Sequence, residues 1–435
     1  ALGYAALSSD TLGSNSVAIG YAALVAQNFT TATNSYNTAV GASAGGAVTT
    51  GIQNTLVGAL AGDALTDADF NVGIGYRALS TDTLGSRSVA IGYSALFTQN
   101  FTTATDAYNV AIGMEAGNKI TTGVRNTLIG GLSGDALTTG DNNVALGFNA
   151  LSADTQGDRN IAIGTDALAA QNFTTSTDSY NVAIGFQAGV AITTAQVNTL
   201  VGGLSGDALT TGGENTAIGY KTLSANTTGA YNTALGSRAL ANFNNTTSAG
   251  TYNTAVGYNA GNDVTTGTHN TLIGGLAGDA ITDADYNVAL GYSSLGGNTV
   301  GSRSTAVGFQ SLEAQNPATA VDMYNTAVGY NAGAAVTTGV QNTLVGALAG
   351  DALTDADFNV AVGINALTAD TLGSMSTAIG DNALAAQNFT TATNTYNVAV
   401  GISAGLSVTT GIQNTLIGGL TGDALTDADY NVAVG

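Results

Sequence analysis

Apolar residues along this chain come in threes. Asn37-Thr-Ala-Val-Gly41 is followed by Asn54-Thr-Leu-Val-Gly58, Asn71-Val-Gly-Ile-Gly75, Ser88-Val-Ala-Ile-Gly92 and Asn109-Val-Ala-Ile-Gly113. Successive copies lie 17, 17, 17 and 21 residues apart and the order then restarts, giving a 72-residue unit that recurs without insertion or deletion. The longer turns begin at Ser16, Ser88, Asn160, Asn232, Ser304 and Ser376, and with the cut turns at both ends there are twenty-five. Position 1 of each turn is Asn or Ser, positions 2 to 4 are short apolar or Thr residues, and position 5 is Gly in every copy. β-Branched residues stopped by Gly predict a strand of three residues. The interval to the next strand is too short for a crossover helix. Successive strands therefore stack in parallel, one per turn, predicting an all-β parallel solenoid. At about 4.8 Å per turn, the twenty-five would span roughly 120 Å.

The second half of each turn keeps register too. Thr stands at the thirteenth position of every complete 17-residue turn, as at Thr49, Thr66, Thr83, Thr121, Thr138 and Thr155. Stacking predicts a column of hydroxyls bonding along the axis, and a second ladder of position-1 Asn amides. The register holds from Ala1 to Gly435, predicting one continuous repeat domain, and it is cut mid-pattern at both ends, as in an internal piece of a longer protein.

Strand side chains alternate between two faces. Val17 and Ile19 share one face, Ala18 and Gly20 the other, and no copy carries a charge on either. A strand apolar on both faces needs cover on both. One face fills the interior, and the expectation is that the small Ala/Gly face admits a neighbouring chain. That makes a closed homo-oligomer the expected state, most simply a trimer.

Composition narrows the function. Charged residues are only 9% of the chain, against roughly 25% in ordinary globular proteins, yet Gly, Asn and Thr interrupt every apolar run, so no membrane-spanning helix and no membrane insertion is expected. The net charge of −21 repels phosphate backbones, which argues against a nucleic-acid partner. There is no Cys, hence no disulfide or thiolate metal site. An active site brings dissimilar residues together once; here nearly everything recurs about six times, so neither an enzyme nor a cofactor is expected.

Asn15-Ser-Val-Ala-Ile-Gly20 resembles the repeat of YadA-like heads in trimeric autotransporter adhesins. Asn143-Val-Ala-Leu-Gly-Phe-Asn-Ala-Leu151, Asn325-Thr-Ala-Val-Gly-Tyr-Asn-Ala-Gly333 and Gly350-Asp-Ala-Leu-Thr-Asp-Ala-Asp-Phe-Asn-Val-Ala-Val-Gly363 resemble repeats of tail fibres of bacteriophages, marine ones among them. The resemblance covers the whole chain. It implies a left-handed β-roll wound as a homotrimer on a virion or cell surface. The expected role is a tail-fibre shaft that projects a host-recognition tip, with receptor or glycan contacts lying outside this segment. The alternatives are a cell-surface adhesin head that binds matrix or glycans and, ranked below it on the Thr column, an ice-binding solenoid.

Three candidate sites remain. The 21-residue turns carry Phe29, Phe101, Phe173 and Phe389 in their extra loop, as possible surface-contact residues that stack on a sugar or, alternatively, fold back as caps on the roll. Asp63, Asp67 and Asp69, with Asp351, Asp355 and Asp357, are weak candidates for a Ca²⁺ site, weighed against solvated turn residues. Tyr36, Tyr108, Tyr180, Tyr252, Tyr324 and Tyr396 are expected to pack at a corner, and His269, the only His, to be a surface substitution.

Overall fold

The computed structural model describes residues 1–246 and 250–435. The described residues contain strands, bridges and turns but no helix. They form a parallel β-solenoid whose contacts divide into two compact units, Ala1–Glu214 and Asn215–Gly435. Each of the 24 three-residue strands is a copy of the positions 2 to 4 named above. Within the first unit they pair in register, Val17–Ile19 with Thr38–Val40, Thr38–Val40 with Thr55–Val57, and so on. The second unit repeats this from Thr216–Ile218 onward. In the 21-residue turns a second, two-residue pairing forms, such as Gly85–Ser86 on Thr105–Asp106.

The invariant Gly at position 5 has a steric cause. Gly58 sits at φ +135°, and a Cβ there would meet the carbonyl oxygen of Gly75, one turn on, at 2.5 Å. No L side chain fits between two backbones stacked so closely. Elsewhere the chain tolerates left-handed backbone without Gly: Leu79, Arg77 and Arg87 all have φ between 53° and 64°. Such residues cost about 1–2 kcal/mol each, and the sequence pattern did not announce them.

Inside, the core alternates large and small. Where the strand centre is Leu56, the ninth residue of the turn is Gly62, and a Cβ on Gly62 would come within 2.7 Å of both Leu56 and Leu65. Where the strand centre is Ala18, Ala90 or Ala162, the ninth residue is Leu24, Leu96 or Leu168, and all six are fully buried. Where both are small, as at Ala39 and Gly45, Leu24 of the turn before and Leu56 of the turn after fill the space, each within 2.9 Å of a Cβ placed on Gly45, so close packing is met between neighbouring turns.

The structure corrects the assignment of faces. The strand centre points inward, so Ala18, Ala39, Ala90 and Leu56 are fully buried. The outward face is the β-branched one, with Val17 46% and Ile19 40% exposed. The Ala/Gly face is therefore interior and is not open to a neighbouring chain. The uncovered apolar face is the stripe of Val, Ile, Leu and Thr at positions 2 and 4.

Candidate functional site

Most polar groups in the turns are consumed by the fold. The position-1 amides form the expected ladder: Asn54 accepts nothing from bulk water, being fully buried, and its Nδ2 donates to Asn37 Oδ1 at 3.3 Å and to the Ala68 carbonyl at 2.8 Å. The backbone N–H of Asn54 donates to Asn37 Oδ1 at 2.9 Å, and that of Asn71 to Asn54 Oδ1 at 3.0 Å. Each Asn thus closes the strand entry of its own turn and of the next. The Thr column also bonds along the axis, but to carbonyls rather than to hydroxyls. Thr49 Oγ1 donates to the carbonyl of Thr66 at 3.2 Å, and Thr66 to that of Thr83 at 3.0 Å.

A buried carboxylate–amide latch was not anticipated. Asp82 Oδ2 accepts from Gln99 Nε2 at 2.5 Å, while its Oδ1 accepts from the backbone N–H of Gly85 at 3.0 Å and of Phe101 at 3.2 Å. Gln99 Oε1 in turn accepts from Asn109 of the Asn ladder at 2.9 Å. The same pair recurs as Asp10–Gln27, Asp154–Gln171 and Asp370–Gln387. Burial pushes the Asp82, Asp154 and Asp370 carboxyls above the ordinary range, against the opposing pull of the amide and N–H donors. The signal was present as a correlated change at a spacing of 17. Where Asn226 replaces the Asp, Phe243 replaces the Gln and fills the same buried space. Where Asn298 replaces it, Gln315 is retained, and its Nε2 is buried without a hydrogen-bond partner.

The latch also places the loop aromatics. Phe29, Phe101 and Phe173 are 5% exposed and Phe389 7%. Phe101 is tied by its N–H to Asp82 and lies over Gly85, where a Cβ would come within 2.7 Å of the ring. These four residues cap the roll, so their side chains offer no open stacking face. The corner tyrosines do the reverse. Tyr36 is 53% exposed, and Tyr108, Tyr180, Tyr252, Tyr324 and Tyr396 are similarly open rather than packed away. Tyr231 stacks on Tyr252 and His269 on Tyr286, at centroid spacings of 5.0 and 4.8 Å, and the tilted pair Tyr252–His269, at 5.2 Å, joins them. His269 is thus one step of a surface aromatic ladder, which Arg303 continues 5.0 Å from the Tyr286 centroid.

The acidic turns do not converge on a cation site. Asp67 accepts from Thr50 at 2.5 Å and Asp69 from the N–H of Ile52 at 2.7 Å, both one turn back, whereas Asp63 accepts from Ser80, one turn forward. Asp351, Asp355 and Asp357 repeat this with Thr368, Thr338 and Val340. Burial raises the Asp69 carboxyl. Among the described residues, no group of three or more His, Cys, Asp or Glu side chains gathers around a common point. These carboxylates fasten adjacent turns to one another.

The fold leaves the outward strand face uncommitted. Besides Val17 and Ile19, the exposed residues include Ile74, Ile112, Leu146 and Ile218 on the strands and Tyr21, Tyr76, Phe148 and Tyr220 just after them. The flanking rings stack where adjacent turns both carry one, as in Tyr76–Tyr93 and Tyr292–Phe309–Tyr330. No protein-family model matches this chain, and no curated protein matches it either.

Proposed function

We propose that this chain is a structural segment of a homotrimeric fibre, specifically the shaft of a bacteriophage tail fibre, with a mechanical rather than catalytic role. The observation that carries the proposal is the outward strand face. Positions 2 and 4 are apolar or Thr in every turn and never charged, although the chain carries 29 acidic residues. Contiguous exposed apolar surface beyond a few hundred Å² marks an interface. Because net charge makes copies repel elsewhere, a neutral stripe is where two copies approach at least electrostatic cost. A closed ring of three covers every stripe without leaving an open end. The interior supports the same reading, since buried polar groups bond turn to turn and stiffen the stack. The resemblance of the repeats to those of tail fibres supports the phage assignment.

Light scattering on the native chain at several concentrations tests the assembly. A constant mass of three chains is expected, and a monodisperse monomer overturns the fibre reading. Antibodies raised against the chain then test the location. Labelling of tail fibres on virions is expected, whereas labelling of a bacterial envelope would instead identify a cell-surface adhesin.

A further inference from the structure

The second unit holds an open cleft of about 340 Å³, lined by Lys221, Ser224, Arg238, Asn242 and Asn262 together with alanines. That volume lies at the small end of the range for ligand pockets, about 300–1,000 Å³. Lys221 and Arg238 occupy the same position of adjacent turns, since Thr216 pairs with Thr233 and the Arg238 N–H donates to the Tyr220 carbonyl at 2.9 Å. Two cations are thus stacked one turn apart. Like charges held near each other repel, and among the described residues neither cation is in an ion pair. Among the described residues, Arg87, Arg159 and Arg303 are each in an ion pair. Lys119 feels Asp135, Arg125 feels Asp141, and Arg77 lies over the rings of Tyr76 and Phe97. Among the described residues, Lys221 lies over the Tyr220 ring, its Nζ 5.7 Å from the centroid.

The pair is also a departure from the repeat. The equivalent pairs are Ala5/Ala22, Arg77/Ser94, Asn149/Asp166, Ser293/Gln310 and Asn365/Asn382, none with two cations. Asn242 stands where the other copies have Ala26, Thr98, Ala170, Ala314 and Ala386. In a chain where structural needs recur, polar substitutions that coincide in one place are not explained by the solenoid. The two lining amides are held by one carboxylate: Asp263 Oδ1 accepts from Asn242 at 3.1 Å and from Asn262 at 2.7 Å. A carboxylate there disfavours a bare oxyanion but suits a ligand that carries hydroxyl donors away from its charge.

We infer that this cleft binds a single acidic sugar residue, its anionic group held by Arg238 and Lys221 and its hydroxyls by Asn242 and Asn262, whose amides Asp263 orients. A guanidinium presents paired N–H donors that match an oxyanion, with the ammonium as a second point charge. The assignment goes beyond the shaft role and does not depend on it. Ligand-observed NMR titrations of the full chain at low salt, with D-glucuronate, D-glucose and inorganic sulfate as probes, test it. Glucuronate is expected to bind at least tenfold more tightly than either of the others. The K221Q/R238Q double variant should lose at least tenfold in glucuronate affinity, whereas R77Q should lose none. Equal binding of glucose, or full affinity in the double variant, overturns the site. Sulfate binding as tightly as glucuronate overturns its assignment to a sugar.

Discussion

Replacing Asn342 by Ala isolates the Asn ladder in the second unit. Asn342 is fully buried, and its side chain serves two backbone groups at once. Oδ1 accepts from the N–H of Asn359 at 3.0 Å, and Nδ2 donates to the carbonyl of Ala356 at 2.8 Å. Asn359 and Ala356 are themselves fully buried, so water does not replace the lost partner without opening the turn. An orphaned buried polar group costs about 1–3 kcal/mol. The two together predict a loss of about 2–6 kcal/mol, confined to the turns that contain them because each turn contacts only its neighbours. Global melting of a long repeat chain is not two-state, so the assay is amide hydrogen exchange read by mass spectrometry on peptides across residues 336–362. Where exchange proceeds through local opening, the loss corresponds to an acceleration of roughly 30-fold to 10⁴-fold. The control is Asn365→Ala, whose Nδ2 reaches only the half-buried Asn382 Oδ1 at 3.2 Å; it should change exchange less than tenfold, in line with about 1 kcal/mol for a single net hydrogen bond. If Asn342→Ala exchanges like wild type, or no faster than the control, the ladder does not hold the turns and the argument from buried amides fails.

The glycines separate steric need from habit. Gly58→Ala, at φ +135°, places a Cβ against a backbone carbonyl and should speed amide exchange in its turn, whereas Gly73→Ala, at a strand centre where other copies carry Ala, meets the tip of Leu56 at 3.2 Å and should slow exchange there, by the equivalent of about 0.4–1 kcal/mol. Exchange sped equally by both would contradict the packing described. The latch predicts a pH dependence. The Asp82, Asp154 and Asp370 carboxyls titrate higher folded than unfolded, so between about pH 3.9 and their folded values the native state holds more protons, and stability falls as pH rises through that window. Urea midpoints should therefore rise on acidification from pH 7 toward pH 4, and rise less in the D82N/D154N/D370N variant; identical slopes would show that these carboxyls are not the cause. Finally, Asn298→Asp offers Gln315 Nε2 the acceptor it lacks and should slow exchange in the loop after Gln315 at acid pH, by the equivalent of about 1 kcal/mol; unchanged exchange there would refute the latch as the reason for the Asp.

The chain by itself determined its secondary structure, its turn count and its two axial ladders. These follow from identical residues returning at a fixed interval, because stacking in register needs only that interval and a strand-forming triplet at each return. What it left open was which way the triplet faces. Val17-Ala18-Ile19 is apolar on both sides, and a period of two says that Ala18 opposes Val17 without saying which is inside. That was decided by the other half of the turn and its neighbours, where Leu24, Val48 and Leu65 pack into one interior with Ala18, Ala39 and Leu56 at the strand centres, none of them β-branched at the centre. The same packing drew Phe101 under the loop and left Tyr108, seven residues later, on the surface: one is anchored through its N–H to a buried carboxylate, while the other sits at a left-handed corner with φ 51° that turns it outward. Spacing along the chain carries register, but the direction of a side chain is settled only when all walls of the turn close around a common volume.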